Sequence, residues 1–246
     1  MSTSKIWATS EDGSLEYISL PKELLPKALE TMQKSFYINE NVCMACGVPQ
    51  QPECFPELDG LLRRTATDGV SIVAVDKASG VVAGAAFNKL EESGHSDFFS
   101  EYAKCLKYSA SKGVVQWMAD ADRMFDIYEH CKIDSLMEVM FVGILPTFRQ
   151  RGIAKKLFEV SIELARELRT GRNVKLSVDE RKLDIGRPPE IVSALLTSFI
   201  TQKITRDTSF KVGKKMYFDW FVYDGRPLSE VIGPQTPFFT FEYYRL

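Results

Sequence analysis

Leu136-Met-Glu-Val-Met-Phe-Val-Gly-Ile-Leu145-Pro-Thr-Phe-Arg149-Gln-Arg-Gly152-Ile-Ala154 is the stretch whose reading decides the fold. Leu136 to Leu145 is almost wholly apolar, as a strand buried on both faces is, and Pro146 ends it. From Gly152 to Leu168, apolar residues recur at Ile153, Leu157, Val160, Leu164 and Leu168, while Glu159, Glu163 and Arg166 mark the opposite face of an amphipathic helix. A turn leading from a buried strand into a helix presents backbone N–H groups that no carbonyl of the helix accepts. The helix dipole favours negative charge at that end, and Gly152 lets backbone approach an anion without a Cβ in the way. Ala154 keeps the first helical turn slim. Arg149, Arg151, Lys155 and Lys156 add cations enough to neutralise a pyrophosphate and a ribose phosphate.

The flanking segments supply the frame. Upstream, Leu15 to Leu20 reads as a strand and Lys22 to Phe36 as a helix, with Leu24, Leu25, Ala28, Leu29 and Met32 at helical spacing. A second helix is expected over Phe55 to Thr67. The β-branched run Val70 to Val75, the turn Asp76-Lys-Ala-Ser-Gly80 and the run Val81 to Phe87 form an antiparallel hairpin. After a polar loop at Glu91 to Ser96, helices are expected over Asp97 to Lys107 and Val114 to His130. Downstream, Thr170-Gly-Arg-Asn stops the amphipathic helix and Val174 to Val178 reads as its returning strand. Pro188-Pro189 opens a further helix to about Ile204, and strands follow at Phe210 to Tyr223 and Phe238 to Tyr244.

The 246 residues, 45% apolar and 26% charged, suit one globular domain over 1–246 with a substantial core. With 31 Lys plus Arg against 33 Asp plus Glu, no global field gathers a nucleic acid or an anionic membrane. The N-terminus lacks the apolar stretch of a signal peptide, and no run approaches the roughly 18 apolar residues of a membrane span. A soluble cytoplasmic protein is expected. Cys43, Cys46, Cys54, Cys105 and Cys131 form an odd set in a chain long enough to fold without staples, so reduced thiols are expected. Cys43-Met-Ala-Cys46 has no second Cys-x-x-Cys after it, and His95 and His130 lie far off in sequence, so no metal is expected.

Neither the dinucleotide fingerprint Gly-x-Gly-x-x-Gly nor the nucleoside triphosphate loop Gly-x-x-x-x-Gly-Lys-Ser/Thr is present. Arg149-Gln-Arg-Gly152-Ile-Ala154 instead resembles motif A of the GNAT acetyltransferases: Arg or Gln, two residues, Gly, one residue, then Gly or Ala, after a hydrophobic strand. The resemblance implies an α+β fold. A mixed, mostly antiparallel sheet of about seven strands would be flanked by helices and splayed at its strands 4 and 5. It also implies acetyl-CoA as co-substrate, with the backbone of Val142, Gly143 and Ile144 pairing with the pantetheine arm. The N–H groups of Gln150, Arg151, Gly152, Ile153, Ala154 and Lys155 would hold the pyrophosphate, with Arg149 beside them.

Ser35-Phe-Tyr-Ile-Asn-Glu40-Asn is similar to the segment that ends the first helix of insect arylalkylamine N-acetyltransferases and usually reads Asp-Glu-Pro. The resemblance makes Glu40 the general base, with Asn41 in place of the usual Pro. The chemistry asks for such a group: a primary alkylamine, with a pKa around 10, arrives as ammonium and cannot attack a thioester until a proton leaves. Glu138, Asp126 and Glu129 are competing carboxylates. The same resemblance places Ser193 and Thr197, four residues apart on one helical face, as the hydroxyls that assist proton transfer and protonate the leaving thiolate; Tyr217 is an alternative acid. The aromatic run Met216 to Tyr223 fits either an aromatic amine pocket or a core strand. Cys43 and Cys46 have no neighbouring base to make them nucleophiles. Three functions remain open: a small-amine N-acetyltransferase, a catalytically inactive CoA-binding sensor or scaffold, and a protein N-acetyltransferase.

Overall fold

The computed structural model describes residues 4–94 and 98–246. The end of the expected polar loop, His95 and Ser96, and the expected helix start at Asp97 lie outside the described residues. Eight strands form one sheet in the order β1-β2-β3-β4-β5-β6-β10-β7. They are β1 (Ile6–Thr9), β2 (Leu15–Ser19), β3 (Ile72–Asp76), β4 (Val82–Glu92), β5 (Ser135–Ile144), β6 (Ile191–Leu196), β7 (Lys211–Tyr217) and β10 (Phe238–Arg245). A small ribbon, β8 (Val222–Tyr223) with β9 (Arg226–Pro227), stands apart. Every pairing in the large sheet is antiparallel except β5 with β6.

The parallel pair is short and that shortness makes the cleft. Leu136, Met137 and Glu138 pair with Ile191, Val192 and Ser193, after which the two strands part. A bulge accompanies the parting: Phe87 opposes Phe141 and Asn88 opposes Val139, which leaves Met140 as an extra residue on β5. Bulges bend a strand and sharpen its twist. Here the bulge also puts the successive side chains of Met140 and Phe141 into the same core.

Two cores flank the sheet. On one face lie α1 (Leu25–Gln33), α2 (Phe36–Asn39), α3 (Asn41–Ala45), α4 (Phe55–Ala66), α5 (Phe98–Ala103), α6 (Ser109–Arg123), α7 (Ile127–Cys131) and, from the C-terminal end, α10 (Leu228–Ile232). The other face is covered by α8 (Ile153–Arg169), whose Ile153, Leu157, Val160, Leu164 and Leu168 are all buried against the sheet. Its apolar stripe is the one the sequence periodicity marks.

The helix expected over Val114 to His130 breaks between Arg123 and Ile127, the strand expected over Phe210 to Tyr223 ends at Tyr217, and two further expected elements do not form. Val174 to Val178 is not a strand; Leu176 makes one backbone bond to Gly69 (2.9 Å), and Asn173 and Lys175 tie the segment to its own loop. The strand to which α8 returns is β6, further along. Pro188 does not open a helix, because Ile191-Val-Ser-Ala-Leu-Leu196 is claimed on both edges by β5 and β10. Tertiary pairing overrides the helix preference of Ala-Leu-Leu. The following helix, α9 (Phe199–Asp207), begins only after Ser198, whose side chain caps it by accepting from the Thr201 N–H. Ser193 therefore lies inside a strand and Thr197 in the strand-to-helix turn, so the two do not share a helical face. β1 is an additional edge strand that the sequence did not announce. No helix among the described residues is long and apolar enough to cross a membrane.

Candidate active site

The parting of β5 and β6 opens a cleft of about 630 Å³, walled by α8 and α9 and closed at one end by the turn between α2 and α3. Beyond Glu138, β5 has β4 on one side and no strand on the other, so the edge from Val139 to Ile144 offers its backbone to an extended ligand. Val142, Gly143 and Ile144 all line the cleft. Gly143 is needed for another reason: a Cβ there would come within 2.5 Å of Ser35 Oγ and 2.6 Å of Met32 Sδ, where α1 crosses β5.

At the α8 end, the backbone of Gln150 (φ 62°) and of Gly152 (φ 73°) is left-handed, and Gly152 is the N-cap of α8 with no side chain capping it. The first-turn N–H groups are thus left for a ligand. Open space lies over Gly152, with no heavy atom within 4 Å of where a Cβ would stand, so its positive φ is what demands glycine. Arg149, Gln150, Gly152, Ile153, Ala154 and Lys155 line this end. Arg151 does not: its guanidinium is held outside by Asp12 (3.1 Å) and Ser14 (2.7 Å). Hydrogen bonds from Ser10 and Ser14 keep the Asp12 carboxyl far below the usual carboxylate range, so the anchor stays charged. Lys156 pairs with Glu159 (2.5 Å). Of the four expected cations, Arg149 and Lys155 face the cleft.

At the opposite end, Glu40 occupies the N-cap of α3. Its Oε2 accepts from the Cys43 N–H (2.7 Å) and its Oε1 from the Thr197 hydroxyl (2.6 Å). Asn41 Nδ2 donates to the Thr197 carbonyl (2.6 Å), so two successive residues of the α2–α3 turn grip the β6–α9 turn. All three line the cleft, as does Thr201 on the first turn of α9. Ser193 does not line it. Sequence reasoning missed Asn41 as a clamp and Thr201 as a cleft hydroxyl. The available signal was Ser198-Phe-Ile-Thr201, a helix start hidden inside what read as helix interior.

The other expected candidates fall elsewhere. Asp126 caps α7 through the Glu129 N–H (2.9 Å), and Glu129 pairs with Lys132. Glu138 lies at the fork, on the last paired rung with Ser193, its carboxyl pushed well above the ordinary range by burial and by Glu91 and Asp122. Tyr217 is exposed outside the cleft against Trp220 and Phe238, while Phe218 and Phe221 join Trp117 and Phe239 in the core. Burial raises the thiols of Cys43 and of Cys46, the latter to about 12, which suits packing rather than attack. No group of three or more His, Cys, Asp or Glu among the described residues is placed to hold a metal ion.

The strand order, the fork and the uncapped helix start together define the GNAT acetyltransferase fold. By sequence alone, no family model and no curated protein matches the chain. By structure, it is similar to arylalkylamine N-acetyltransferase 2 from Aedes aegypti, at a TM-score of 0.73 and 17% identity, over 94% of this chain and 98% of that one. It is similar also to a Drosophila melanogaster polyamine N-acetyltransferase that forms N-acetylagmatine, at 0.72 and 14%, over 94% and 100%. An agmatine N-acetyltransferase matches at 0.74 and 14%, over 95% and 100%.

Proposed function

We propose that the chain transfers an acetyl group from acetyl-CoA to the primary amine of a small arylalkylamine or similar amine, by direct attack in a ternary complex. The observation that carries the reading is the Glu40–Thr197 contact at the far end of the cleft that begins at the Arg149–Lys155 turn. One end suits a pyrophosphate and the other supplies a proton acceptor, with an open strand edge between them. In this reading the N–H groups from Gln150 to Lys155 and the Arg149 side chain hold the pyrophosphate, and Val142, Gly143 and Ile144 guide the pantetheine. Glu40 takes the ammonium proton, directly or through a water, with the Thr197 hydroxyl orienting its carboxylate. A backbone N–H of β5 near Ile144 would stabilise the oxyanion. As the C–S bond breaks, the thiolate takes a proton through a cleft hydroxyl, which regains its own from the second N–H proton that the attacking nitrogen loses as the amide forms. The candidate is Thr201, which lines the cleft and whose hydroxyl donates to the Ser198 carbonyl (3.0 Å) before CoA enters; Ser193, inside β6, does not line the cleft.

The test is release of free thiol from acetyl-CoA with a panel of primary amines. Glu40→Gln should lower kcat by about 10²- to 10⁴-fold and abolish the acid limb of the kcat/KM profile, with CoA affinity retained. CoA binding without turnover of any amine would instead support a sensor.

A further inference from the structure

We infer that the outer edge of β7, with the turn that follows it, is a docking surface for an anionic lipid bilayer, separate from the cleft and independent of the transfer reaction proposed above. β7 ends the sheet and pairs only with β10, so the outward backbone groups of Lys211–Tyr217 have no strand beside them. Residues 203–222 hold five Lys or Arg (Lys203, Arg206, Lys211, Lys214 and Lys215) against two Asp (Asp207 and Asp219), in a chain whose formal net charge is -2. All five cations are exposed, and none forms an ion pair among the described residues. A local positive field therefore stands on a chain that has none as a whole.

Exposed apolar side chains are set among those cations. The rings of Tyr217 and Trp220 lie 5.6 Å apart, and those of Tyr217 and Phe238 6.1 Å. Lys215 Nζ stands 3.6 Å from the centre of the Phe238 ring and 5.2 Å from that of Tyr217, so charge and aromatic surface are contiguous. Trp220 is 53% exposed, and Val222, at 65%, is the most exposed large apolar side chain among the described residues. In the ladder with β10, Lys214 opposes Phe241 and Lys215 opposes Thr240, so the successive lysines project to opposite faces of the sheet and flank its edge. A flat surface meeting that edge touches both. The same residues disfavour two other occupants. Gly213 is a bulge, because Val212 opposes Glu242 and Lys214 opposes the next residue, Phe241. Bulges and lysines on an edge block strand addition, and a second copy of this edge would set lysine against lysine. A bilayer requires no register. Trp and Tyr settle at headgroup depth, an aliphatic side chain reaches below them, and lysines meet anionic headgroups. Thr236, two residues before Phe238, lines the cleft, so docking by this edge sets the cleft beside the lipid surface.

Cosedimentation of the whole chain with vesicles tests this, using equal parts of phosphatidylserine and phosphatidylcholine against phosphatidylcholine alone. The mixed vesicles should bind at least about tenfold more tightly at low ionic strength, and added salt should release the protein. Of the three tryptophans, Trp7 and Trp117 are buried, so a blue shift of emission on binding reports Trp220. Lys214→Ala with Lys215→Ala should weaken binding by roughly 25-fold, about fivefold for each lysine. Trp220→Ser should weaken it too and remove the blue shift; should the lysine variant melt early, this exposed position and the salt dependence decide alone. No binding, equal binding to the two vesicles, or binding that survives the substitutions would overturn the inference. Capture by soluble polyglutamate in preference to the vesicles would also overturn it, and would assign the face to an acidic polypeptide. Thiol release from acetyl-CoA with a small soluble amine is a separate readout, so failure of the transfer reaction and failure of the docking surface are distinguishable.

Discussion

The two ends of the cleft are built from different materials. At the α8 end the cleft-facing groups are mostly backbone, offered by one continuous strand, turn and helix. At the Glu40 end they are side chains brought together from positions 157 apart in sequence. Backbone donors are dictated by local geometry, so a few residues suffice to announce them. A side-chain pair exists only once the whole sheet is assembled. Apart from Arg149 and Lys155, the first end is weakened by disturbing a conformation; the second is weakened by the loss of a single hydroxyl or carboxamide.

The sharpest way to break the first end is Gly152→Glu. A side chain strained at φ 73° would carry a negative charge into the space over the helix N-terminus. CoA affinity should fall by at least about 100-fold, or about 2.7 kcal/mol, read by calorimetry. At the second end, Thr197→Val should leave CoA affinity within about twofold and lower kcat about tenfold, the scale of one lost hydrogen bond to a charged group. Equal effects of Thr197→Val on CoA binding and on turnover would erase the distinction between the ends.

A smaller effect separates the buried carboxylates from the surface. Burial and the Glu91 charge raise Asp122 from 3.8 to about 8. The folded protein therefore holds this proton more tightly than the unfolded chain. Stability should fall as pH climbs from about 4 to about 8 and level off above that. Asp122→Asn should flatten the decline and raise Tm at pH 8 by a few degrees, measured by thermal melts across that range. The smallest effect is expected from Arg151→Ala, about twofold or less on CoA affinity, because Asp12 and Ser14 hold that guanidinium away from the cleft. A loss as large as that from Arg149→Ala would mean that Arg151 swings inward on binding.

The same division explains what was legible. The β5–turn–α8 unit could be read because its buried strand, its glycine and its amphipathic stripe follow one another in sequence. Glu40 was reached through resemblance of the segment that ends the first helix. The hydroxyls went astray because Ile191 to Leu196 has the composition of a helix and becomes a strand only through its neighbours β5 and β10. That moved Ser193 into the sheet and Thr197 into a turn, where its partner is Glu40. Arg151 was counted with the cleft cations because sequence proximity does not reveal which way a side chain turns, and the turn at Asp12 lies far upstream. Asn41, read only as a departure from a usual proline, supplies the second half of the clamp on Thr197.

In the proposed reaction, that clamp ties catalytic competence to completion of the fold. Contacts of long sequence separation are slow to form because loop-closure entropy opposes them, and the Glu40–Thr197 and Asn41–Thr197 bonds are among the longest-range in the molecule. A partly assembled chain, with β5 and α8 in place but β6 not yet inserted between β5 and β10, would hold the turn proposed to bind CoA and lack the partner of the proposed proton acceptor. During refolding, recovery of CoA binding should therefore run ahead of recovery of turnover, and the lag between them would time the docking of the chain's last quarter onto its first.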